Sequence, residues 1–295
     1  MTGLISIAAG CFTPKWHASL ADLKDDIFAR VKDADVSLSV FPEYAAFEAA
    51  LIGAPDGDPD PMIWAERASK AHDDWMAILT AAAMEYDQYI VAGSGPVKSG
   101  QSYVNRAVFC APDGSFAHQD KMIPTPWERD NMQIVGGPEL VLFDTPIGKF
   151  GVTICYDTEF PMFARSLVAA GAEAIFAPAC TDTQAGQDRV QIGARARALE
   201  NQCLVVHAPM DGTVLGCDPV AENVGRAGMF GPPDLGQPEG GIYALAHPDN
   251  DGWTRQAIDL GRVSAARENG DVKVFRDWRD QGVADLPVKI ATLGK

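Results

Sequence analysis

Hydrophobic and polar residues follow two periods along the chain. In one kind of segment the apolar residues form a short unbroken run, which is typical of a buried strand; in the other they return every three or four positions, as on an amphipathic helix. The predicted strands are LISIAAGCF (4–12), VSLSVFPEY (36–44), QYIVAGSGP (88–96), AIFAPAC (174–180) and CLVVHAPM (203–210). The predicted helices are 18–33, 63–86, 163–172 and 189–202.

Three further segments have the pattern of two strands joined by a turn. Residues 103–121 contain Asp113 and Gly114 between two apolar runs, and residues 140–156 bend at Pro146–Gly148. Residues 241–260 are predicted to form a late hairpin. Because strand–helix–strand units are mixed with hairpins, we expect an α/β fold in layers, with mixed sheets.

The length and net charge of the chain limit the number of domains and the kinds of partner that we expect. Its 295 residues suffice for one large core, and no segment rich in Ser or Gly divides it, so we expect a single domain over residues 1–295. The net charge of −16 repels nucleic acid and anionic lipid, and we expect neither as a partner. No apolar run is long enough to cross a membrane, and MTGLISIAAG is predicted to be a first strand rather than a signal peptide. The expected location is the cytoplasm.

Two patterns that suggest a metal site fail on inspection. The six cysteines are widely spaced, and no pair of Cys or His residues has the spacing of a zinc site, so we expect thiols rather than ligands or disulfides. Asp56, Asp58 and Asp60 begin like a calcium loop, but Pro61 stands where that loop requires Gly. A surface loop is the better interpretation.

Cys155 is distinguished by its position. It ends the apolar run GVTIC and is followed at once by polar residues, and the carboxyl ends of strands line the ligand crevice in open α/β sheets. Glu43 and Lys121 stand at two other strand ends. A carboxylate there can take a thiol proton and a cation can stabilise an oxyanion, although each residue taken alone is more often a charge that caps a strand. His207 is another candidate base, but a lone histidine beside a strand is usually structural.

These three residues and their surroundings resemble the nitrilase superfamily of carbon–nitrogen hydrolases, which uses a Glu–Lys–Cys triad in this chain order. The matching stretches are VFPEYAA around Glu43, HQDKMIPTPWE around Lys121 and GVTICYDTEFP around Cys155. Downstream, AEAIFAPAC (172–180) and ARARALENQCLVVHA (194–208) resemble the strand–helix–strand unit of the family. The chain is most similar to bacterial members of an amidase-like branch that share C-Y-D-x-E-F-P, some of which carry a fused acetyltransferase domain.

The resemblance extends over roughly residues 3–265 and implies a four-layer α-β-β-α sandwich with two mixed sheets. Family members pair through helices into homodimers, and some form larger homo-oligomers. The helix after Cys155 and the RALENQ helix are the expected interface, although burial within one subunit explains their apolar faces equally well. The family chemistry needs neither a metal nor an organic cofactor.

The resemblance also implies the reaction. A small amide is attacked by the Cys155 thiolate, Glu43 acts as the base, and Lys121 and the backbone N–H of Tyr156 hold the oxyanion. A thioester forms and is then hydrolysed by water. Glu128, seven residues after Lys121, matches a second glutamate of family sites. It is expected to be a fourth catalytic residue, which helps to position the amide or supports the general base. The expected substrate-binding residues are Tyr156, Cys180 and Thr181.

Departures from the family pattern bear on the substrate. Nitrilases have Cys-Trp-Glu at the nucleophile, where this chain has Cys155–Tyr156–Asp157, and this favours an amidase over nitrile hydrolysis. Enzymes that act on carbamoyl-D-amino acids have basic residues shortly after the cysteine, where this chain has Asp157–Thr158–Glu159. Nitrile hydrolysis, N-carbamoyl amine hydrolysis and a purely structural role remain as alternatives; the presence of the complete triad argues against the last.

Overall fold

The computed structural model describes residues 3–54, 57–247 and 252–281. Strands and helices alternate through most of this length, as the hydrophobic pattern predicts. The strands are β1 (Leu4–Cys11), β2 (Leu38–Val40), β3 (Tyr89–Ser99), β4 (Ser102–Cys110), β5 (Phe116–Asp120), β6 (Phe143–Thr145), β7 (Gly148–Val152), β8 (Ala174–Ala179), β9 (Leu204–Pro209), β10 (Gly212–Thr213), β11 (Glu222–Asn223), β12 (Gly228–Phe230), β13 (Ile242–Leu245) and β14 (Gly252–Asp259).

Helices cover the segments between these strands. They are α1 (Leu20–Ala34), α2 (Phe47–Leu51), α3 (Pro61–Lys70), α4 (His72–Glu85), α5 (Pro126–Met132), α6 (Pro161–Ala169), α7 (Gln184–Asn201), α8 (Leu260–Ser264), α9 (Ala266–Asn269) and α10 (Val274–Asp277). Short 3₁₀ turns cover Cys155–Glu159, Asp218–Val220, Glu239–Gly241 and Trp278–Gln281. None of the described helices is both long and apolar enough to span a bilayer.

Two six-stranded sheets form the centre of the molecule, one in the order β14-β1-β2-β3-β4-β5 and the other in the order β13-β12-β9-β8-β7-β6. In the first sheet β1, β2 and β3 are parallel and the outer strands antiparallel. In the second, β7, β8 and β9 are parallel and the outer strands antiparallel. The prediction of two mixed sheets is confirmed.

Apolar side chains divide the fold into four layers. Between the sheets lie residues of both, including the stacked rings of Phe109 and Phe143, whose centroids are 5.0 Å apart. On the outer face of the first sheet, α1 and α4 contribute Leu23 and Leu79, and on the outer face of the second, α6 and α7 contribute Leu167 and Ala194. Helix–sheet–sheet–helix is therefore the observed order, in agreement with the predicted α-β-β-α sandwich.

The single helix predicted for residues 63–86 is wrong, because the structure has two helices separated at Ala71. Their apolar faces pack on different parts of the molecule. Trp64 of α3 packs in a cluster with Phe47, whereas Trp75 of α4 packs against the first sheet. One straight helix cannot present both faces, and the chain bends between them.

The predicted end of the strand 88–96 is also wrong, since β3 continues to Ser99. A register shift between Val91 and Ser94 accommodates the Gly93 region within the strand instead of ending it. Gly93 has φ +66°, and a Cβ atom there would lie 2.1 Å from the Pro42 carbonyl oxygen. This glycine therefore lets β3 lie directly against the segment that carries Glu43.

The late hairpin predicted for residues 241–260 is wrong as well. Its two strands belong to different sheets: β13 pairs with β12 of the second sheet, and β14 pairs with β1 of the first. Residues 248–251, which lie between these two strands, are outside the described residues. Local pattern alone does not distinguish a hairpin from two edge strands that separate, because both contain two apolar runs and a polar turn.

Candidate active site

Strand ends of both sheets meet at one place between the layers. Glu43 lies after β2, and Lys121 follows β5 directly, so both come from the first sheet. Cys155 begins the 3₁₀ turn shortly after β7 of the second sheet. All three residues are buried, Glu43 and Lys121 at 1% exposure each and Cys155 at 5%. The structure thus brings together the three residues that the sequence singles out.

Lys121 lies between two glutamates. Its Nζ is 2.8 Å from Oε1 of Glu43 and 2.8 Å from Oε2 of Glu128. Burial opposes the charged form of the lysine, but the two carboxylates outweigh burial and raise its pKa well above the ordinary value. Lys121 is therefore a fixed cation at neutral pH.

Glu128 is held by a complete set of donors. It stands in α5, where it forms a capping box with Thr125: its Oε2 accepts from the Thr125 N–H at 2.7 Å. Its Oε1 accepts from the Tyr44 hydroxyl at 2.6 Å and from Nδ2 of Asn105 at 3.1 Å. Burial opposes ionisation, but Lys121 and these hydrogen bonds lower the pKa of Glu128 below the ordinary value. Glu128 is ionised and its lone pairs are occupied.

Glu43 differs from Glu128 although it shares two donors with it. Its Oε1 accepts from Lys121 and from Nδ2 of Asn105 at 2.9 Å, and its Oε2 accepts from the backbone N–H of Cys180 at 2.8 Å. Burial raises its pKa to about 7, because the attraction of Lys121 is partly cancelled by the nearby charge of Glu128. A carboxylate that titrates near neutrality can both take up and release a proton there.

The Cys155 thiol lies close to Glu43, because both contact the backbone of Cys180. Burial, followed by the negative charge of Glu43, raises the pKa of the thiol well above its ordinary value. Sγ is also 3.6 Å from the carbonyl oxygen of Cys180, which can accept its proton. At neutral pH the sulfur is therefore protonated, and it becomes a nucleophile only when a base removes the proton.

Positive φ angles mark the backbone of this site. Among the described residues, six that are not glycine have positive φ, and four of these follow the ends of helices or the turn after them: Asp35, Asp87, Gln133 and Gln202. The other two are Tyr44, at φ 62°, and Cys155, at φ 47°. A left-handed backbone is unfavourable for such residues and persists where the surroundings impose it, often at functional sites.

The turn after Cys155 is tied to the turn after Lys121. The buried carboxylate of Asp157 accepts from the backbone N–H groups of Met122 at 2.9 Å and Ile123 at 2.8 Å. Burial raises the pKa of Asp157 to about 6 against the lowering effect of Lys121 and these bonds. Asp157 is thus engaged in joining two loops, and it does not line the cavity.

A cavity of about 920 Å³ opens onto Cys155. The residues predicted to bind substrate, Tyr156, Cys180 and Thr181, all line it. The Thr181 hydroxyl, however, donates to the Val224 carbonyl at 2.9 Å, and Cys180 reaches Glu43 and Cys155 through its backbone. Within the described residues, the cavity lining also includes the following charged groups near its mouth: Glu159, Asp182, Arg189, Asp218 and Glu222.

His207 lies away from this arrangement. It is fully buried in β9, with Nε2 3.2 Å from Oε1 of Gln187, and burial lowers its pKa to about 4. It does not line the cavity. A neutral histidine with this partner has the structural role that a lone histidine beside a strand usually has.

A second charged cluster connects helices α1 and α2 near Glu43. Arg30 of α1 binds both oxygens of Glu48 in α2, at 2.7 and 3.1 Å, and His17 is 2.9 Å from the same carboxylate. The positions of His17, Asp26 and Glu48 would allow a metal ion, but the Arg30 guanidinium already contacts both acids. The cluster is therefore an ion-pair network that ties α2, just after Glu43, to α1.

Two residues of the inner site are missed by reasoning from the sequence. Asn105, next to Arg106, is a polar residue within the mostly apolar stretch YVNRAVFC, and this interruption of the pattern of β4 is the signal that could have identified it. Tyr44 directly follows Glu43, and nothing in the sequence shows that its hydroxyl reaches Glu128.

Comparisons with known proteins identify the family of the chain. The sequence model of the family described as Carbon-nitrogen hydrolase matches residues 14–268. Over 251 residues the chain is 33% identical to the Probable hydrolase YhcX of Bacillus subtilis, covering 84% of this chain and 48% of that one. It is 43% identical over 76 residues to a Deaminated glutathione amidase of Yersinia enterocolitica, covering 26% of this chain and 27% of that one. The chain thus spans about half of the length of the first of these relatives, and the second matches it over a shorter segment.

Among solved structures, an amidase of Nesterenkonia AN1 from the nitrilase superfamily has the same fold. The two structures agree with a TM-score of 0.68 at 18% sequence identity, over 95% of this chain and 96% of that chain. At this level of identity the likeness concerns the arrangement of strands and helices.

Proposed function

The chain belongs to the carbon–nitrogen hydrolase family of the nitrilase superfamily, and we propose that it hydrolyses the C–N bond of a small amide through a thioester on Cys155. One observation carries the proposal: the Cys155 thiol and Oε2 of Glu43 meet at the backbone of Cys180, 3.6 Å from its carbonyl oxygen and 2.8 Å from its N–H, and Oε1 of Glu43 is bound by Lys121. A protonated thiol, a carboxylate that titrates near neutrality and a fixed cation are the groups that acyl transfer to sulfur needs.

Acylation begins with proton transfer. Glu43 takes the thiol proton, and Sγ of Cys155 attacks the amide carbonyl carbon, whose π electrons move to oxygen. Lys121 and the backbone N–H of Tyr156, in the first turn of the 3₁₀ segment and without an intrahelical acceptor there, bind this oxyanion. The tetrahedral adduct then collapses: the C–N bond breaks, Glu43 gives its proton to the departing nitrogen, and ammonia or an amine leaves. A thioester and an ionised Glu43 remain.

Deacylation uses the same groups in reverse. Glu43 takes a proton from a water molecule, the hydroxide attacks the thioester carbon, and Lys121 and Tyr156 again hold the oxyanion. The C–S bond breaks, the thiolate regains the proton from Glu43, and a carboxylic acid is released. Glu128, whose lone pairs are occupied, does not carry a proton in either step; it holds Lys121 in place and keeps it charged.

The charges around the cavity support a substrate without a negative charge. Arg189 at the mouth is 3.6 Å from Glu159, which offsets its charge. Asp182, Asp218 and Glu222 are exposed and also line the cavity. An excess of carboxylates raises the local concentration of neutral and cationic molecules relative to anions. Small primary amides fit this environment better than carboxylates of similar size.

Assembly and location belong to the same proposal. Met162 of α6 and Ile192 and Leu199 of α7 expose apolar side chains at 57%, 66% and 45% on the outer layer of the second sheet. Exposed apolar residues on neighbouring helices favour association, so we propose a homodimer or larger homo-oligomer that buries them. A catalytic thiol must stay reduced, which favours the cytoplasm. Light scattering on Ile192→Glu and wild type tests the interface; equal masses for the two would contradict it.

The reaction is tested by ammonia release from a panel of small amides, ureido compounds and nitriles, with wild type and Cys155→Ala. Cys203→Ala is the matched control, because Cys203 is a buried thiol of the outer layer. We expect amide turnover that survives in Cys203→Ala and disappears in Cys155→Ala. Hydroxylamine added during turnover should yield the hydroxamate of the acyl group, as a thioester does. Turnover of nitriles or ureido compounds in preference to amides would replace the proposed substrate class, and turnover in Cys155→Ala would refute the thiol route.

A further inference from the structure

Asn105 contacts all three charged residues beside the nucleophile. It lies in β4, fully buried, and its Nδ2 donates to Oε1 of Glu43 at 2.9 Å and to Oε1 of Glu128 at 3.1 Å. Its backbone carbonyl accepts from the backbone N–H of Lys121 at 2.8 Å. Side chain and backbone of one residue thus bind the two glutamates and the lysine. Asn105 does not line the cavity and has no access to substrate.

The hydrogen bonds of Asn105 form a closed ring with Lys121. Lys121 bridges Glu43 and Glu128 on one side, and the Asn105 amide bridges them on the other. Two ionised carboxylates this near each other, out of water, repel strongly unless donors stand between them. Lys121 places a cation between the carboxylates on one side, and the uncharged Asn105 amide places two N–H donors between them on the other. The distance between the carboxylates is therefore set from both sides.

The other end of the Asn105 amide has an energetic cost. Its Oδ1 is buried and has no hydrogen-bond partner among the described residues. The opposite orientation of the amide would point Oδ1 at two carboxylates that cannot donate, so the observed orientation is the one the site permits. A leucine of similar volume would avoid the unpartnered oxygen. Stability alone does not explain an asparagine at this position, whereas the two donated N–H groups do.

We propose that Asn105 is a positioning residue for the hydrolytic reaction: it holds the Glu43 and Glu128 carboxylates on either side of Lys121 and keeps Glu43 in the ionised form that takes the Cys155 proton. The proposal rests on the function proposed above, in which Glu43 is the base. It assigns to β4 a part in the chemistry that the three strand-end residues do not supply.

The expected consequence follows from what faces Glu43. Lys121 after β5, the Cys180 N–H after β8 and the Cys155 thiol favour its ionised form, whereas the charge of Glu128 in α5 disfavours it. Without the Asn105 amide, Glu43 keeps Lys121 and the Cys180 N–H as donors, in addition to the thiol. Its pKa, already raised to about 7 by burial, should rise further. Glu128 retains Lys121, Tyr44 and Thr125 as donors and should change less.

The first measurement is the pH dependence of kcat/KM for Asn105→Leu and Asn201→Leu. Asn201 is the matched control: it is also fully buried, donates through Nδ2 to the Arg197 carbonyl and has an unpartnered Oδ1, but it lies in α7 outside the site. In Asn105→Leu we expect the acidic limb of the pH profile, where kcat/KM rises with pH, to move up by about one pH unit. kcat/KM should then fall about fivefold at pH 7 and recover at higher pH. Asn201→Leu should leave the limb in place.

The second measurement needs no substrate. The rate at which iodoacetamide alkylates Cys155, followed by mass spectrometry, reports removal of the thiol proton and should rise with the ionisation of Glu43. The pH at which this alkylation rate is half of its maximum, the alkylation midpoint, should rise in Asn105→Leu by the same amount as the acidic limb of kcat/KM. If no amide is hydrolysed but this midpoint still moves, the amidase proposal fails and the role of Asn105 stands.

An unchanged alkylation midpoint in Asn105→Leu would overturn the inference, and so would an equal shift in Asn201→Leu, since that would indicate general loosening of the fold. Asn105→Ala, which also removes both donors but is smaller, is measured in the same way if Asn105→Leu does not fold. Thermal unfolding of every variant separates loss of structure from a change in proton affinity, because a purely structural defect lowers activity equally at all pH values.

Discussion

The two sheets supply unlike halves of the site. In the half from the first sheet, Glu43, Lys121 and Asn105 bind one another, and their hydrogen bonds are formed before any substrate arrives. In the half from the second sheet, Cys155 has a left-handed backbone, its thiol is protonated, and the adjacent Tyr156 N–H lies in the first turn of the 3₁₀ segment. In the first half the charged groups already have their hydrogen-bond partners, and we call it the saturated half. In the second half the Tyr156 N–H is still available to a substrate, and we call it the open half.

The difference separates what a catalytic site prepares in advance from what it forms during the reaction. Charges that stabilise a transition state are most effective when they need not reorient, and the saturated half meets this condition. Bonds to substrate form at the open half, where unsatisfied groups face the cavity. Each of the following changes alters one half and leaves the other nearly intact.

The largest effect is expected from Lys121→Met, which removes the cation from the saturated half. Loss of an oxyanion donor costs about 10²–10³ in rate, and protonation of Glu43 at neutral pH should bring the total to about 10⁴. Without Lys121 the folded-state pKa of Glu43 rises further and that of Glu128 rises above its unfolded value. The contribution of these two groups to stability should therefore be greatest below their unfolded pKa values of about 4, and be lost as pH rises through the folded values. At pH 7 we expect a loss of about 3–5 kcal/mol in urea unfolding.

Lys149→Met is the control for Lys121→Met. Lys149 is 46% exposed and pairs with Asp144 on the surface, where an ion pair adds little to stability. If both variants retained activity and unfolded alike, Lys121 would not be the oxyanion cation.

Glu43→Gln keeps the shape of the side chain but cannot accept the thiol proton. We expect kcat/KM to fall about 10³-fold, within the range that loss of a general base produces. Glu66→Gln, a change of an exposed glutamate on α3, should have no effect. Stopped-flow measurement of the first turnover would locate the defect in acylation, and a normal first turnover would instead assign Glu43 to deacylation alone.

Glu128→Gln should lower kcat/KM about 10²-fold, because Lys121 loses one of its two anchoring carboxylates. The remaining activity should have its acidic limb at lower pH than wild type. The negative charge of Glu128 raises the pKa of Glu43, and its removal lowers that pKa. A shift of the acidic limb toward higher pH in Glu128→Gln would contradict this account. Asn105→Leu, in contrast, is expected to move the limb toward higher pH.

For the wild type, kcat/KM should rise about tenfold per pH unit below pH 7 and level off above it, since Glu43, with a pKa of about 7, must be ionised to act as base. The pH dependence of ammonia release measures this directly. A limb near pH 4 would mean that Glu43 is more strongly stabilised than its burial and neighbours indicate.

The smallest effect is expected from Cys180→Ala, which tests the open half. The backbone of Cys180, not its thiol, contacts Glu43 and Cys155, while Sγ lies 3.1 Å from Oδ1 of Asn223. Removing that sulfur should change kcat/KM less than about fivefold, because no hydrogen bond to the reacting groups is lost. A loss as large as that of Glu43→Gln would place the Cys180 thiol in the chemistry.

Much of this site is visible in the sequence because it stands at strand ends. Glu43, Lys121 and Cys155 are polar or reactive residues at or just after the ends of predicted strands, and strand ends in α/β folds meet at one edge. Asn105 is different: it lies inside a strand, and only the pairing of β4 with β3 and β5 shows which side chains it faces. The late hairpin fails for the same reason, since the choice between two sheets depends on distant residues that a local pattern does not contain.

The Asp157 contact with Met122 and Ile123 has a consequence for the newly made chain. It is formed between a turn of one sheet and a turn of the other, so the proposed nucleophile Cys155 and its proposed base Glu43 meet only after both sheets have assembled. Until then Cys155 is an ordinary thiol with no carboxylate to deprotonate it. Reactivity is therefore a product of folding, and a thiol reagent or oxidant that selects activated sulfur should distinguish the native protein from its folding intermediates.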